Sequence, residues 1–177
     1  IPQFMEKIPC LSTYLEKYSV FYLSKYSVTN QKFKTILQRK IKKDLYQKKI
    51  SENQYKESND IIAFILEKFI KLNIINDKRN IRSRIDSLVN KGHSLKKITM
   101  YLIKDQYAKG LIDFEINNLK NNLDFEIQLI ETYCRKKRLV MFDVNFDRDD
   151  INMYNKTLNK LLRQGFSLEN CLSFMKK

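Results

Sequence analysis

The sequence predicts an all-α protein, arranged as an elongated, curved array of three tandem three-helix repeats. Two observations support this fold class. The 177 residues include only three glycines and two prolines, too few for the many tight turns of an all-β fold. Apolar residues recur along the chain at the spacing of amphipathic helices. Because one short trio of helices buries too little surface alone, neighbouring trios should stack to form the core.

Four segments are expected along the chain. They are a leader at residues 1–10, a first repeat at 11–72, a middle repeat at 73–123 and a C-terminal repeat at 124–177. The first repeat contains a polar, basic stretch at about 43–57, which is typical of a linker or of a solvated helix end. The basic cluster around its start either contacts phosphates or forms an ordinary solvated surface; it comprises Arg39, Lys40, Lys42, Lys43, Lys48 and Lys49.

Helix boundaries are indicated by side chains that can accept hydrogen bonds from the first turn. The expected N-caps are Ser12, Thr29 or Asn30, Ser58 or Asn59, Asn76 or Asp77, Ser94, Asp124, Asp149 or Asp150, and Ser167. Gly92 can adopt the left-handed conformation that ends a helix.

Each helix is expected to place one apolar stripe toward the core. The predicted inward residues include Leu15, Leu37, Ile62, Ile65, Leu72, Ile81, Ile85, Leu88, Ile98, Leu102, Ile112, Leu129, Ile130, Ile151, Leu161, Leu162, Leu168 and Cys171.

Charge is the most informative bulk property. Lysine and arginine total 34 against 20 acidic residues, so the formal net charge is +14. This excess favours a polyanionic partner, namely DNA, RNA, a nucleoprotein or an anionic membrane surface, although a merely solvated lysine-rich surface has the same composition. No apolar run approaches the ~20 residues of a membrane span and no secretory signal is recognisable, so we expect a cytoplasmic protein without a membrane partner.

Metal and thiol chemistry is not indicated. Cys10, Cys134 and Cys171 are widely spaced, and His93 is the only histidine. Because a zinc site normally needs four Cys or His ligands in paired spacing, a structural zinc site is not expected. The cysteines suit a reducing compartment. His93 follows a glycine in a turn, where a solvated or capping role is expected.

Catalytic motifs are also missing from the sequence. Asp147, Asp149 and Asp150 do not have the spacing of an EF-hand loop and are better interpreted as helix caps. The sequence contains neither a Walker loop nor a GxGxxG motif. We therefore expect a protein that is not an enzyme and that has no metal or cofactor.

Several motifs resemble those of the RecX family, the bacterial regulators of the RecA recombinase. Residues 72–79, Leu-Asn-Ile-Ile-Asn-Asp-Lys-Arg, resemble the family step G-x-(I/L)-(D/N)-D-x-R. Residues 91–102 begin with Lys-Gly and resemble K-G-x-x-x-I-x-x-x-L, while residues 161–167 resemble L-x-R-(R/K)-G-F-S. Residues 15–37 are loosely compatible with the N-terminal repeat. The likeness spans about the whole chain and is most specific in the middle repeat.

This resemblance implies a modulator of RecA in DNA repair and the SOS response. Such proteins bind in the helical groove of the RecA–single-stranded DNA filament and inhibit strand exchange, ATP hydrolysis and co-protease activity. We expect a monomer. A basic solenoid would be attracted by the negative field of the filament groove. The candidate partner- or DNA-contacting residues are Arg79, Arg82, Arg84, Lys91, Lys96, Lys97, Arg135, Lys136, Arg138 and Arg163.

Two other functions fit the sequence. The first is direct DNA or RNA binding, because two helices about a glycine turn resemble helix-turn-helix geometry. The second is a structural adaptor whose tyrosine and phenylalanine faces dock a protein, which predicts weak salt dependence. Under the RecA hypothesis, reversing the charges of Lys96 and Lys97 should weaken inhibition without unfolding the chain, since both are expected to face outward.

Overall fold

The computed structural model describes residues 8–122, 124–139 and 151–176. These residues form nine α-helices and contain no β-strand, so the predicted all-α class is confirmed. The helices are α1 (Leu11–Lys25), α2 (Asn30–Tyr46), α3 (Glu52–Lys71), α4 (Asp77–Asn90), α5 (Leu95–Lys104), α6 (Lys109–Lys120), α7 (Phe125–Lys136), α8 (Ile151–Arg163) and α9 (Leu168–Lys176). Their grouping into three tandem repeats stays a prediction.

The chain divides into two compact units, Ile1–Asn80 and Ile81–Lys177. We call them the N-terminal and the C-terminal unit, and each has its own cluster of buried apolar side chains. The helices expected in the middle and C-terminal repeats contribute to the same cluster. Only the first turn of α4 belongs to the N-terminal unit.

In the N-terminal unit, α3 packs against both α1 and α2. Leu15 of α1, Phe33 and Leu37 of α2, and Ile62 and Ile65 of α3 are completely buried. Each lies on the apolar stripe of its own helix, so the helical periodicity of the sequence accounts for this core. Burial of these side chains supplies the main force that holds the three helices together.

Most of the stretch predicted as a linker is helical. α2 includes its first residues, and α3 begins at Glu52, so the expected start at Ser58 or Asn59 is wrong. Ser51 begins α3 with a capping box: its hydroxyl accepts a hydrogen bond from the N–H of Gln54 at 3.2 Å, and its own N–H donates to Oε1 of Gln54 at 2.9 Å. This pair satisfies two backbone donors and stabilises a first turn that is otherwise polar.

A buried polar contact joins α1 to α2. Asp44 is completely buried, and both of its carboxylate oxygens lie 2.6 Å from Nζ of Lys40. The hydroxyl of Tyr14 donates to Oδ2 of Asp44 at 2.9 Å, and Lys40 Nζ also contacts that hydroxyl oxygen. Burial alone opposes the charge on Lys40, but its hydrogen bonds to Asp44 and Tyr14 outweigh this, so the pKa of Lys40 is raised.

In the C-terminal unit, α5 packs on α6, while α7 and α8 both pack on α9. Ile98 and Leu102 of α5, Leu129 and Ile130 of α7, and Leu161 of α8 are essentially inaccessible to solvent. The predicted register of these helices is therefore confirmed.

Some residues predicted to face inward are exposed: Leu72, Ile151, Leu162 and Leu168. Leu72 lies beyond the last turn of α3 and is followed by Asn73 in the left-handed conformation, so the chain leaves the apolar face there. Ile151 and Leu168 are the first residues of their helices, where fewer neighbours surround a side chain. Periodicity is therefore a poor guide at helix ends.

Several predicted caps are confirmed, because their side chains accept a hydrogen bond from the N–H three residues later. They are Thr29, Asn76, Ser94 and Ser167. The cap predicted at Ser12 is wrong, because α1 begins at Leu11 and Ser12 lies inside the helix. Asp124 is the N-cap residue of α7, as predicted, but its side chain makes no capping hydrogen bond. Asp147, Asp149 and Asp150, interpreted from the sequence as helix caps, lie outside the described residues.

Candidate functional site

Most of the basic residues singled out from the sequence are on the surface. Arg79, Arg82, Lys91, Lys96, Arg135, Lys136, Arg138 and Arg163 are exposed, whereas Arg84 and Lys97 are partly buried. Arg79 belongs to the N-terminal unit and the others to the C-terminal unit. The expectation that Lys97 faces outward is wrong, because its ammonium group donates a hydrogen bond to Oε1 of Gln164.

The turn between α4 and α5 contains Lys91 and directly precedes Lys96 and Lys97. Gly92 has φ of 72°, in the left-handed region predicted for it, and its N–H donates to the carbonyl of Val89 at 2.8 Å. A Cβ atom at Gly92 would lie 2.6 Å from the backbone nitrogen of Tyr133 in α7. The glycine therefore lets this turn lie directly on α7, close to the basic C-terminal end of that helix.

The charges of four cationic side chains act on His93. Burial lowers its pKa, and so do the positive charges of neighbouring residues. We name these residues, together with the histidine, the His93 cluster; they are Arg84, Lys91, His93, Lys97 and Lys137. The cluster combines α4, the α4–α5 turn, α5 and the residue that follows α7.

Some side chains of the His93 cluster are held in place by neighbours. Nε of Arg84 lies 2.9 Å from Oδ2 of Asp105, and its guanidinium carbon lies 6.0 Å from the ring centre of Tyr101. The ring of His93 packs on the same tyrosine at 5.2 Å. Because these contacts restrict the side chains before any ligand arrives, less conformational entropy is lost on binding.

The charges of two other candidate residues are partly neutralised by ion pairs. Nε of Arg82 lies 3.1 Å from Oε1 of Glu115, and Nη2 of Arg135 lies 2.5 Å from Oε1 of Glu131. Both arginines are largely exposed, so these pairs contribute little to stability and can exchange for a phosphate. Within the described part of the chain, no ion pair involves Arg79, Lys91, Lys96, Lys136, Arg138 or Arg163.

Two members of the His93 cluster were not predicted as contacts. Lys137 belongs to the Arg-Lys-Lys-Arg run at the end of α7, and its neighbours were chosen instead. His93 was expected to have only a solvated or capping role. The run itself indicated positive charge, but only the packing of the Gly92 turn on α7 shows which of its residues lies near the histidine.

The Asn-Asp step before α4 has a structural role. Asn76 accepts a hydrogen bond from the N–H of Arg79 at 2.9 Å and thereby caps α4. Asp77 accepts one from the N–H of Asn30 at 3.0 Å, at the start of α2. Burial raises the pKa of Asp77, while this hydrogen bond acts in the opposite direction. Within the N-terminal unit the aspartate thus ties the first turn of α4 to that of α2.

No group of three or more His, Cys, Asp or Glu side chains among the described residues is arranged to hold a metal ion. Burial raises the pKa of Cys134 to about 12 and that of Cys171 to about 11, so both are uncharged thiols with little nucleophilic character. Among residues 8–122, 124–139 and 151–176, no helix combines the length and apolarity needed to cross a bilayer.

Comparison of the chain with protein-family models, with curated proteins and with solved structures found no match. The likeness to the RecX family consequently depends on the motif residues alone. Two of those motifs contain Gly92 and Gly165, and both glycines have left-handed backbone angles, 72° and 89°.

Proposed function

We propose that this chain is a regulator that binds the RecA–single-stranded DNA filament and inhibits its recombinase, ATPase and co-protease activities. The observation that supports this function best is the His93 cluster, in which four cationic side chains act on one histidine at the turn that packs on α7. The turn contains the Lys-Gly step that resembles the RecX family. The net charge of +14 agrees with a polyanionic partner.

The His93 cluster suits phosphate groups for electrostatic reasons. Like charges held close together repel one another, and the lowered pKa of His93 is one consequence of that repulsion. A phosphate placed among these side chains would relieve the repulsion. The interaction should be strongly salt-dependent, because every neutralised phosphate releases condensed counterions.

Co-sedimentation with RecA filaments over a salt series tests the proposal. The informative variant is Lys91→Gln/Lys137→Gln, since both lysines are exposed and neither has an ion pair in the described part of the chain. Losing two phosphate contacts should make the slope of log binding constant against log salt concentration shallower by about 1.4. The variant should also inhibit ATP hydrolysis less. Lys56→Gln/Lys109→Gln removes the same charge from two other exposed lysines and is the matched control. If the two double variants bind filaments with the same salt dependence and inhibit ATP hydrolysis equally, the His93 cluster does not contact the filament.

Direct binding of DNA or RNA is the second candidate function. It is favoured by the glycine turn between α4 and α5, because such a turn can present the second helix to a nucleic acid. Lys96 lies on the exposed face of α5. Filter binding distinguishes the two functions: affinity for bare single-stranded DNA equal to that for RecA-coated DNA supports direct binding, whereas a clear preference for the coated strand supports the regulator.

A further inference from the structure

The C-terminal end of α1 exposes two aromatic rings. Phe21 is 58% exposed and Tyr26, the residue after the helix, is 56% exposed. An exposed aromatic ring offers a partner a large, flat apolar face. The two residues lie in the N-terminal unit, separate in sequence from the His93 cluster.

Neighbouring aromatic residues fix the position of Tyr26. The ring centres of Tyr22 and Tyr26 are 4.9 Å apart, and Tyr22 in turn stacks on the completely buried Phe33 at 5.9 Å. Tyr18 lies one helical turn earlier, with its ring centre 6.1 Å from that of Tyr22. The exposed ring of Tyr26 is thus supported by the core, and a ligand that stacks on it need not order it first.

Positive charge accompanies these rings. Nζ of Lys25 lies 4.1 Å from the ring centre of Phe21. Lys32 at the start of α2 is close enough to act on Tyr22: burial raises the pKa of that tyrosine, and Lys32 opposes the rise. Lys25 therefore lies over an aromatic ring, and the charge of Lys32 acts on a second one.

Negative charge on α1 and α2 is already paired. The only carboxylates in the two helices are Glu16 and Asp44. Oε1 of Glu16 lies 2.9 Å from Nζ of Lys68, and Oδ1 of Asp44 lies 2.6 Å from Nζ of Lys40. Lysines and arginines outnumber carboxylates in these two helices. Although the carboxylate of Asp77 accepts a hydrogen bond from the N–H of Asn30 at the start of α2, the natural complement of this surface is therefore an anion.

We propose that Phe21 and Tyr26 stack on unpaired bases of a single-stranded nucleic acid, whose phosphates are bound by Lys25 and Lys32. A single strand is the ligand that combines regularly spaced negative charge with flat apolar faces, and aromatic side chains beside cations are the usual means of binding it. A duplex keeps its base faces covered, and an acidic peptide supplies charge without such faces. The inference does not depend on RecA, because bare nucleic acid is the ligand.

Fluorescence gives a direct readout, because the chain contains no tryptophan. In the Tyr26→Trp variant the single indole replaces the exposed ring and keeps its ability to stack. Oligo(dT) and oligo(U) are titrated separately, with an abasic strand of the same length and polyglutamate as probes that carry charge but no bases. We expect quenching by a base-containing strand and none by the abasic strand or polyglutamate. A preference for oligo(dT) or oligo(U) identifies DNA or RNA as the source of the bases.

Alanine variants measure the contribution of each ring. Phe21→Ala and Tyr26→Ala should each weaken oligonucleotide binding by about 5- to 100-fold. Phe64→Ala is the matched control, since this phenylalanine of α3 is 61% exposed and should not change affinity. Lys25→Gln/Lys32→Gln should weaken binding and reduce its salt slope.

The proposal is overturned if the abasic strand or polyglutamate quenches the indole as strongly as oligo(dT). It is equally overturned if no strand is bound, or if Phe21→Ala and Tyr26→Ala behave like Phe64→Ala. Lys91→Gln/Lys137→Gln should retain the quenching by oligo(dT). If that variant loses filament inhibition but keeps the quenching, the His93 cluster and the pair Phe21 and Tyr26 bind their ligands independently.

Discussion

The hydroxyl of Ser94 donates a hydrogen bond of 2.6 Å to the main-chain carbonyl oxygen of Gln164. The same hydroxyl accepts a hydrogen bond from the N–H of Lys97 at 3.3 Å, and the ammonium group of Lys97 donates to the side-chain oxygen of Gln164. Gly165 allows the close approach, because a Cβ atom there would lie 3.1 Å from Oγ of Ser94. The turn before α5 is thereby joined to the turn after α8, which also orients a lysine of the His93 cluster.

Replacing Ser94 with alanine removes both the cap of α5 and the bond to Gln164. Because the carbonyl and the N–H then lose a partner in a partly buried place, we expect a loss of about 2–3 kcal/mol in the free energy of unfolding. Ser51→Ala is the control: it removes an exposed cap with no second bond and should cost only about 1 kcal/mol. Urea unfolding followed by circular dichroism measures both. Equal losses would mean that the bond to Gln164 contributes nothing.

Gly92→Ala should destabilise the C-terminal unit strongly. The added Cβ would lie 2.6 Å from a backbone atom of Tyr133, and the residue has φ of 72°. We expect a cost of about 2–4 kcal/mol from the left-handed conformation and the displacement of α7. Gly110→Ala is the matched variant, since nothing lies within 4 Å of its added methyl group and the position is in α6. It should raise stability by up to about 1 kcal/mol in thermal unfolding. A Gly92→Ala protein as stable as the parent would contradict the packing of this turn.

His93 should make stability depend on pH. Burial and the neighbouring cations lower its pKa in the folded state, so the unfolded chain binds more protons between that lowered value and about 6.5. Stability should be fully present above about pH 6.5 and should fall as the pH decreases through this window. His93→Gln removes the titrating group, so its unfolding free energy should vary less from pH 7.5 to 5.5. If the unfolding free energy of the variant depends on pH as strongly as that of the parent, another group causes the dependence.

The same histidine should couple protonation to ligand binding. A polyanion bound among Arg84, Lys91, Lys97 and Lys137 offsets the charges that lower the pKa of His93, so that pKa should rise on binding. Binding then takes up protons, and affinity should increase as the pH falls from 7.5 to 6. Isothermal titration calorimetry in buffers of different ionisation enthalpy detects this uptake. If the His93→Gln variant still takes up protons on binding, His93 is not the group that is protonated.

Asp44→Asn should be more damaging than removal of the whole ion pair. The variant leaves the partly buried ammonium group of Lys40 without its counter-charge, at a cost of about 2–3 kcal/mol. The double variant Lys40→Met/Asp44→Leu replaces both charges with apolar groups and should lose less than the sum of the single variants Lys40→Met and Asp44→Leu. Chemical denaturation of the parent and of these four variants measures the coupling. Additive losses would show that the two side chains do not stabilise each other.

The helices could be recognised from the sequence because their signals are local. The spacing of Ile98 and Leu102, the caps Thr29 and Ser94, and the left-handed Gly92 all follow from residues within a few positions of one another. The errors arose where local signals compete. Ser58 resembled a cap, but the capping box seven residues earlier begins α3 and leaves Ser58 buried in the helix.

By itself, the sequence determined the helical class, most helix registers and the excess of positive charge, because each depends on composition or short-range periodicity. Only the tertiary structure decided which charges lie together. His93 and Lys137 become neighbours because the Gly92 turn packs on α7, and Tyr26 is supported because Tyr22 stacks on Phe33 from another helix. These contacts join residues that are distant in sequence, and no local pattern encodes which helix surfaces meet.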